Sequence, residues 1–547
     1  MPRNAVPDRP SAFAPFQSRT FLLLWVTSQV SNLGGLIQGV GASWQMTGLT
    51  SSPAMIALVQ ASTSLPVMLF SLLAGTLADS RDRRRILLVA QGLMMAVSAL
   101  LAAFAFLGWL TPWGLLSFTF LLGVGTALNN PSWQASVGDI VPREVLPEAV
   151  SLNAMGFNLM RSVGPALGGA IVAAFGAAVA FAVNAFTYVP LLAVLAGWKP
   201  VPSAATLPRE PFASAVGAGL RYVAMSPNLL KVLLRSALFG LGAVAILALL
   251  PLVARDLLAG NALTYGVLLG GFGLGAIGGG LSNPWLRSVL SSEALVRGAF
   301  VGFALGLAAM SQSRSLWLTL PAVMVCGAGW VLALSLFNTT VQLSSPRWVV
   351  GRTLAMYQMA AFGGLAMGSW IWGATAARLG VEGALLAAAA ALVAGALVGL
   401  AVTMPDLTRS DLDPLGRFRE PPLQLDLRGR SGPILVMLDY VIRQEDVPAF
   451  LKVMAERRRV RRRDGARQWV LLRDLEHPEM WTESYHVATW DDYLRHNLRR
   501  TKADGEISDR LQALHQGDWP PVVHRMIERQ SVQSHRDLAL KGFDEHP

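Results

Sequence analysis

The sequence predicts an all-α membrane protein of twelve transmembrane helices arranged as two six-helix bundles, followed by a small C-terminal α+β domain. Three observations support this fold class. The 547 residues are 53% hydrophobic and 14% charged, whereas soluble domains carry about 25% charged residues. About twelve stretches in residues 1–403 are long enough to cross a bilayer, which takes about 20 apolar residues each. The chain also repeats itself after about 200 residues.

The predicted spans lie close together along the chain. They fall near residues 20–46, 52–78, 86–108, 112–132, 147–175, 179–198, 229–254, 262–284, 293–312, 315–341, 349–377 and 381–403. The resulting organisation is an N-terminal bundle (1–198), a cytoplasmic inter-bundle loop (199–228), a C-terminal bundle (229–403), a linker (404–431), a soluble α+β domain (432–530) and a tail (531–547).

The distribution of charged residues along the chain predicts the membrane topology. Residues 404–547 carry 24 basic and 24 acidic side chains, so the net charge of +11 lies in residues 1–403. With a cytoplasmic N-terminus, the inside loops hold fifteen Lys and Arg and the outside loops three. The positive-inside rule then places both termini in the cytoplasm of a bacterial inner-membrane protein. The first apolar run is too long for a signal peptide, so we expect it to be retained.

Several classes of chemistry are disfavoured by what the sequence lacks. The single cysteine, Cys326, excludes an internal disulfide and a cysteine-rich metal site. A phosphate-binding loop of the Walker A type is missing, so ATP does not drive the protein directly. The zero net charge of the C-terminal domain argues against nucleic acid as a partner. We therefore expect no catalytic residues, no metal and no cofactor.

The internal repeat preserves the order of several motifs. Gly75, Leu77, Asp79 and Arg83 recur 204 positions later as Gly279, Leu281, Asn283 and Arg287. Three further pairs recur in the same order, with offsets of 204, 204 and 200: Gly123-x-Gly125 with Gly327-x-Gly329, Pro142-Arg143 with Pro346-Arg347, and Gly164-x-x-x-Gly168 with Gly364-x-x-x-Gly368. Two duplicated bundles around a central cavity are typical of transporters that alternate between inward- and outward-open states.

Two motifs carry a family resemblance over residues 15–403. "GTLADSRDRRRILL" (75–88) resembles the loop 2–3 signature of the major facilitator superfamily, except at Ser80 and Asp82. "RSVGPALGG" (161–169) resembles the helix 5 motif of drug:proton antiporters. The amino-acid sequence of residues 127–169 is similar to that of the family branch that includes the enterobactin exporter and the transmembrane secretion effector proteins. The resemblance implies a proton-coupled exporter.

The charged loop within residues 75–88 has two interpretations. The arginines anchor the topology, and the family resemblance implies that Gly75, Asp79, Arg83 and Arg84 also form a conformational gate. Asp79 ends a helix, where the dipole disfavours a carboxylate, so it needs a cationic partner. Asn283 replaces it in the second half, so we expect the gate to be one-sided.

The helix 5 motif predicts close helix packing. Pro165 removes a helix hydrogen bond, while Gly164, Gly168 and Gly169 allow another helix to approach. The glycine-rich face at 270–280 of the eighth span is a matching surface. One interpretation is a sliding seam between the bundles, and the other is ordinary small-residue packing.

Arg161 is the only strong charge deep in a predicted span of the first half, and a buried arginine costs at least about 2.5–3.5 kcal/mol on insertion scales. It either faces the cavity and binds a polar or anionic group, or extends towards the cytoplasmic interface. Amides that either line the cavity or join helices are Asn32, Asn129, Asn158, Asn338 and Gln358, with Gln29, Gln38, Asn130 and Gln342 and the phenol of Tyr357 as further candidates. Carboxylates lie only near span ends, so the proton-carrier candidates are Asp79, Asp139 and Glu382.

The C-terminal region reads as strands and amphipathic helices in the order βαββα, which suggests a ferredoxin-like fold. It resembles the antibiotic-biosynthesis-monooxygenase-like domains, which implies dimerisation through the sheet. Candidate side chains for a site here are His486, His496, Trp469, Trp481 and Trp490, although the tryptophans also suit a core. The run "RRRVRRR" (457–463) suits either anionic lipid or a solvated helix end.

These observations predict a secondary active transporter of the inner membrane that exports a small amphipathic molecule, such as a drug, a siderophore or another metabolite, by alternating access. Its partners would be this substrate, protons, membrane lipids and a second copy of the chain. The alternative is a transporter-like platform whose C-terminal domain is a ligand-binding sensor or a cofactor-independent monooxygenase-like enzyme.

Overall fold

A computed structural model of the chain describes Ser11 and residues 13–142, 145–199, 212–346, 348–405, 411–517 and 521–528. The side chains of Asp79 and Asn158, and the whole of the tail 531–547, lie outside the described part. The described residues belong to two compact units. The first comprises the parts of 1–204, 230–341 and 354–405 that are described, and the second those of 205–229, 342–353 and 406–547.

The first unit consists of long apolar helices. In chain order these are α1 (Arg19–Leu49), α2 (Pro53–Ser80), α3 (Arg83–Phe106), α4 (Pro112–Ile140), α5 (Leu146–Phe175) and α6 (Ala177–Gly197). After the amphipathic helix α7 (Phe212–Ala224), which belongs to the second unit, come α8 (Pro227–Leu252), α9 (Ala262–Val289), α10 (Ser292–Gln312), α11 (Leu316–Leu343) and α12 (Val350–Ala401).

Nine helices in the described part of the chain are long and apolar enough to cross a membrane: α1, α2, α3, α6, α8, α9, α10, α11 and α12. Helix α12 has 52 residues and is broken at Gly380, whose φ of +74° lies in the left-handed region, where glycine carries no Cβ penalty. Two predicted spans therefore fall within α12. The predicted fourth and fifth spans correspond to α4 and α5, of 29 and 30 residues.

The internal repeat is visible in equivalent helix contacts. A Cβ on Gly164 would lie 2.8 Å from the Cβ of Leu36 on α1, and one on Gly364 would lie 2.3 Å from the carbonyl oxygen of Ala237 on α8. The fifth helix of each half thus packs on the first helix of the same half. These approaches are possible because glycine lacks a side chain.

The core of the C-terminal bundle is aromatic. Phe239 on α8 has its ring centroid 5.1 Å from Phe300 and 5.7 Å from Phe303, both on α10. Trp330 on α11 extends this cluster, 6.4 Å from Phe239 and 5.8 Å from Phe272 of α9. Edge-to-face ring pairs of this kind contribute roughly 0.5–1.5 kcal/mol beyond the area they bury.

The C-terminal domain forms one antiparallel sheet with helices on one face. Its elements are β1 (Ile434–Val441), α13 (Val447–Arg463), β2 (Arg467–Arg473), β3 (Met480–Val487), α14 (Trp490–Leu498), α15 (Lys502–Leu514) and β4 (Val523–Ile527), and the strand order is β2-β3-β1-β4. The sequence analysis did not include β4, and it placed one helix where α14 and α15 lie.

Residues predicted as a linker pack on this domain from residue 411 onward. The backbone N–H of Leu415 donates to the carbonyl oxygen of Arg500 at 2.9 Å, and that of Trp490 donates to Ser431 at 2.8 Å. The ring of Phe418 packs against Tyr493 with centroids 6.1 Å apart. These contacts make residues 411–433 a part of the domain that they precede.

Candidate functional site

Arg161 reaches from one half of the repeat into the other. Its guanidinium carbon lies 5.5 Å from the ring centroids of both Phe272 on α9 and Trp330 on α11. Both rings are buried, with 3% and 6% of their surface exposed. Cation–π attraction of this kind contributes about 0.5–1 kcal/mol when exposed and about 2 or more when desolvated. The arginine therefore stabilises the arrangement in which α5 lies against α9 and α11.

Helices α5 and α9 touch backbone to backbone beside this arginine. A Cβ on Gly169 would lie 2.7 Å from the Cα of Gly266, and one on Gly273 would lie 2.5 Å from the Cα of Ser162. Any side chain at these glycines would separate the two helices, since real Cβ atoms do not approach so closely. We call the contact formed by Ser162, Gly169, Gly266 and Gly273 the glycine seam.

The other small residues of the predicted seam face elsewhere. Gly164 and Gly168 lie against α1, where a Cβ on Gly168 would be 3.0 Å from the Cα of Ile37. On α9, a Cβ on Gly275 or Gly279 would meet the backbone of α11. Only part of the predicted 270–280 face therefore lies on α5. Pro165 is at the seam, because its carbonyl oxygen would be 2.9 Å from a Cβ on Gly266.

The charged segment between α2 and α3 is fixed by several contacts. Arg83 Nη1 donates to Asp139 Oδ2 at 2.7 Å and to the carbonyl oxygen of Ala135 at 3.0 Å, which ties α3 to α4. Arg84 donates to the last carbonyl groups of α6, at Leu195 and Ala196, where the helix dipole favours a cation. Gly75 faces α12, with Ala355 3.8 Å from where its Cβ would be.

Asp82, which departs from the family signature, begins α3. Its Oδ1 accepts from the backbone N–H of Arg84 at 3.0 Å, as an N-cap residue does. In the second half, Asn283 stands at the position that corresponds to Asp79. Its amide donates to Ser335 on α11 at 3.3 Å, so a neutral hydrogen bond lies where the first half has charges.

The predicted amides occupy different environments. Asn129 accepts from Gln91 Nε2 at 2.9 Å, and Ser31 donates to the same glutamine at 3.4 Å, which links α1, α3 and α4. Asn32, Asn338 and Gln358 are half-buried. Asn129 therefore joins helices of its own bundle, which is the second of the two predicted roles.

Sequence analysis missed a buried polar cluster around Asn184 on α6. This amide is 1% exposed and donates to Gln38 on α1 and to Ser98 on α3, the latter at 3.2 Å. A Cβ on Gly34 would lie 2.6 Å from Asn184 Oδ1, so the glycine makes room for the cluster. The missed signal was one asparagine in an otherwise apolar predicted span.

A second missed site is the ion pair of Arg235 on α8 and Glu293 on α10. Arg235 is fully buried, its Nη2 lies 3.4 Å from Glu293 Oε1, and its guanidinium lies over the Phe300 ring. A Cβ on Gly399 would lie 2.0 Å from Arg235 Nη1, so only glycine fits opposite this pair. The arginine was hidden near the edge of a predicted span.

An apolar groove of about 640 Å³ lies between the two halves of the first unit. Helices α2, α8 and α12 line it, and its residues include Met68, Met359 and Met367. Volumes of about 300–1,000 Å³ are usual for small-molecule sites, and flexible methionine side chains suit apolar ligands of varied shape. The groove could hold the apolar part of an amphipathic molecule.

In the C-terminal domain, a buried carboxylate organises the predicted side chains. Glu483 is fully buried and accepts from Arg457 at 2.7 Å, Arg461 at 3.1 Å and Trp469 at 3.0 Å. Burial alone would raise its pKa, but the charges of Arg457 and Arg461 lower the pKa to about 2. Glu483 is therefore ionised, and the two arginines lie inside the domain rather than on lipid or in solvent.

The remaining domain candidates do not meet at one centre. His496 accepts from Arg461 at 3.0 Å, and burial together with that cation holds its pKa well below the ordinary value, so it is neutral. His486 lies on the other face of β3, near Glu528 at 3.8 Å. Trp481 and Trp490 are buried in the core. Among the described residues, no cluster of three or more His, Cys, Asp or Glu side chains is arranged to hold a metal.

The two sets of apolar helices, their glycine seam and the arginine beside it define a multi-pass membrane transporter of the major-facilitator type. Residues 10–533 match the transmembrane secretion effector family, and the chain belongs to that family. The match extends from the first helix through the C-terminal domain. The predicted family is thus confirmed, whereas the resemblance of the C-terminal domain to the antibiotic-biosynthesis-monooxygenase-like domains stays a prediction.

Relatives and solved structures agree with this assignment. The chain is 27% identical over 404 residues to the enterobactin exporter EntS of Citrobacter koseri, covering 70% of this chain and 89% of that protein. It is 28% identical over 174 residues to the staphyloferrin A transporter of Staphylococcus aureus, covering 32% of this chain and 42% of that protein. The structure of the POT family transporter PepTSo superposes with a TM-score of 0.58 at 12% identity, covering 71% and 99%, which shows a shared fold.

Proposed function

We propose that this protein is a secondary active exporter that moves a small amphipathic molecule across the bacterial inner membrane by alternating access. The observation that carries the proposal is the glycine seam between α5 and α9, two helices from different halves of the repeat. A backbone contact without interlocking side chains lets two bundles rock against each other. Arg161 then favours one of the two arrangements, because its aromatic partners belong to the opposite half.

The substrate class follows from the apolar groove and from the relatives. A groove lined by α2, α8 and α12 suits the apolar part of a drug-like or siderophore-like molecule. EntS and the staphyloferrin A transporter are named for siderophores, and a further relative is the macrolide efflux protein A of Streptococcus pyogenes. We infer that the cargo of this protein belongs to the same range of amphipathic metabolites and drugs.

We further propose twelve spans, with both termini in the cytoplasm. The break of α12 at Gly380 gives two spans, and α4 and α5 are long enough to cross the bilayer. The cytoplasmic loops then hold most of the arginines, as the positive-inside rule requires. In this topology the contact of Gly169 with Gly266 lies in the outer half of the membrane.

Proton coupling remains part of the proposal, with two acidic positions as its carriers. Asp139 is paired with Arg83 at 2.7 Å, so its protonation would release α3 from α4. Asp79, in the same segment, is the second position. Glu382 is a weaker candidate, since it is half exposed just after the break of α12 at Gly380 and paired with Arg314.

We propose that the C-terminal domain is a ferredoxin-like binding and dimerisation module, which its strand order β2-β3-β1-β4 supports. One face of its sheet carries exposed apolar side chains, including Val470, Leu472 and Met526. A second copy of the chain would cover them. Crosslinking through cysteines placed at Val470 in full-length protein tests this pairing, and a monomer at all concentrations would contradict it.

The experiment for the main proposal is an efflux assay in cells that express the wild type, Asp79→Asn or Asp82→Asn, with a panel of dyes, antibiotics and siderophores, with and without a protonophore. Both variants remove one carboxylate from the same segment, but Asp82 caps α3 and pairs with the exposed Arg85 of that same helix. We expect export that the protonophore stops and that Asp79→Asn abolishes while Asp82→Asn retains most of it. Export insensitive to the protonophore would reject proton coupling, and the absence of any exported compound would reject the exporter.

A further inference from the structure

A cavity of about 630 Å³ lies inside the C-terminal domain, between its sheet and its helices. Tyr440 and Tyr485 contribute from β1 and β3, Tyr493 from α14, and Arg457 and Arg461 from α13. Its volume is in the usual range for a small-molecule site. Every residue that lines it belongs to the second unit.

Positive charge in the wall of this cavity exceeds negative charge. Arg457 and Arg461 share the single carboxylate of Glu483. Arg500 is another of the six arginines in the wall, and within the described residues it has no carboxylate within ion-pair distance. Its Nη2 instead donates to the hydroxyl of Ser508, which also accepts from Arg457 Nη1 at 3.4 Å.

Two guanidinium groups therefore meet at one neutral hydroxyl. Partly buried cations that lack an anion are costly, and a bound carboxylate or phosphate would relieve that cost through charge-assisted hydrogen bonds. We propose that this cavity is a binding site for a small anionic molecule, with Arg457 and Arg500 holding its charged group beside Ser508. The pKa of Arg500 supports the proposal, because burial and the neighbouring Arg461 and Arg457 lower it to about 10.

The rest of the wall selects an aromatic anion. The ring of Tyr485 lies beneath Arg461, 4.6 Å from the guanidinium carbon to the ring centroid. Tyr493 accepts a hydrogen bond from Arg525 Nε at 2.7 Å. Arginines and tyrosine rings together favour a planar acid, such as a hydroxybenzoate, over an aliphatic cation.

Helix α13 gives such binding a route to the transporter. Residues 457 and 461 are four apart and face the cavity, whereas 459 and 463 lie on the opposite face of the helix. Arg459 Nη2 donates to the carbonyl oxygen of Met225 at 2.8 Å, and the guanidinium of Arg463 lies 5.3 Å from the Tyr222 ring centroid. Met225 is two residues before α8 begins.

A second contact leads to α12. The guanidinium of Arg499, next to Arg500, lies 4.2 Å from the ring centroid of Trp348, which precedes α12 by two residues. We infer that an anion in the cavity repositions α13 and Arg499 and so biases the movement of α8 and α12. This regulatory part rests on the proposed exporter function, whereas the binding site does not.

Binding is tested on the full-length protein in phosphatidylcholine nanodiscs, with 5-fluorosalicylate as the probe and ¹⁹F line broadening as the readout. Ser508→Asp places a fixed carboxylate between the two guanidinium groups, and Ser508→Asn is its neutral control. Arg500→Gln removes a cation of the wall that has no ion-pair partner among the described residues, while Arg462→Gln removes an exposed cation of α13. We expect Ser508→Asp to abolish binding, Ser508→Asn to retain measurable binding, and Arg500→Gln to weaken it at least tenfold, whereas Arg462→Gln should bind within twofold of the wild type.

The outcomes separate the possible explanations. Equal weakening by Arg500→Gln and Arg462→Gln, or full binding by Ser508→Asp, would overturn the site. Benzyl alcohol at the same concentration should not compete, and competition by it would show that the cavity binds apolar rings without regard to charge. If phosphatidylglycerol in the nanodisc competes with the probe, the natural anion is a lipid headgroup, and if it does not, the anion is a soluble metabolite.

The regulatory part has its own readout. We expect Ser508→Asp to change the efflux rate at least threefold relative to Ser508→Asn, because it mimics the occupied site. Arg459→Gln combined with Ser508→Asp should reduce that difference by breaking the contact with Met225. Probe binding without any effect of the variants on efflux would retain the binding site and reject the coupling. If efflux is lost in all variants alike, the failure lies in the exporter proposal and not in the binding site.

Discussion

Arg161 on α5 and Trp330 on α11 face each other across the two halves of the repeat, with the guanidinium carbon 5.5 Å from the ring centroid. Trp330 is 6% exposed, so the contact is largely shielded from water. Water exclusion strengthens cation–π attraction. A transporter that alternates between two arrangements must break this contact in one of them.

Replacing either partner should therefore shift the balance between the two arrangements. We expect Arg161→Gln and Trp330→Leu each to lower efflux at least tenfold, with protein levels near those of the wild type. The double variant should be no worse than the poorer single variant, because both remove the same interaction. Trp330→Phe keeps a ring under the arginine and should retain most of the activity. Additive losses in the double variant would show that the residues act independently.

The glycine seam makes a sharper steric prediction. A leucine at Gly266 would force its Cβ to 2.6 Å from the Cα of Gly169, which no rotamer can avoid, so the bundles cannot close on each other. Gly278→Leu on the same helix is the control, because nothing lies within 4 Å of a Cβ there. We expect Gly266→Leu to abolish efflux while Gly278→Leu retains at least half. Equal efflux by Gly266→Leu and Gly278→Leu, at matched protein levels, would contradict the seam.

Sequence reasoning succeeded where a single physical rule acts over many residues. Length and hydropathy located the long helices, since a bilayer demands extended apolar segments, and the fixed offset between Gly164-x-x-x-Gly168 and Gly364-x-x-x-Gly368 indicated two duplicated bundles. Gly164 and Gly364 contact the first helix of their respective halves, whereas the sequence suggested Gly164 for the seam between the bundles. Local periodicity also found α13 and three of the four strands.

Pairings between distant residues were not accessible in this way. Arg235 was unremarkable near a span end, yet it is fully buried against Glu293, which is 58 residues away in sequence. Asn184 likewise acquires its partners only when α1, α3 and α6 pack together. From the sequence, the run at 457–463 could face either lipid or solvent. The two arginines of this run that bind Glu483 could not be recognised, because their partner lies on a strand that is not adjacent in sequence.

Glu483 predicts how the C-terminal domain responds to acid. Its pKa is lowered to about 2 from an ordinary value of 4.5, so the folded domain binds fewer protons than the unfolded one between these values. This contribution to stability is complete above pH 4.5 and is lost progressively as pH falls towards 2. Hydrogen–deuterium exchange of the β3 peptide in the full-length protein should show faster opening over that window.

Glu483→Gln is the matching variant. It leaves Arg457 and Arg461 buried without their carboxylate, which should cost about 3–5 kcal/mol, so β3 should exchange rapidly even at pH 7. Replacing the exposed Glu476 by Gln is the control and should leave exchange in β3 unchanged. A protection factor for β3 that stays unchanged from pH 4.5 to pH 2 in the wild type would contradict the assignment of Glu483 as the acid-sensitive group.

Gly399 makes the final prediction, because it faces the ion pair of Arg235 and Glu293. A Cβ there would lie 2.0 Å from Arg235 Nη1 and 2.4 Å from Glu293 Oε1, so both side chains would have to move. Gly399→Ala should therefore weaken the pair and lower the melting temperature in detergent. Gly298→Ala on α10, with nothing within 4 Å of its Cβ, should melt as the wild type does. Equal melting temperatures for both variants would show that the pair contributes nothing to the stability of the C-terminal bundle.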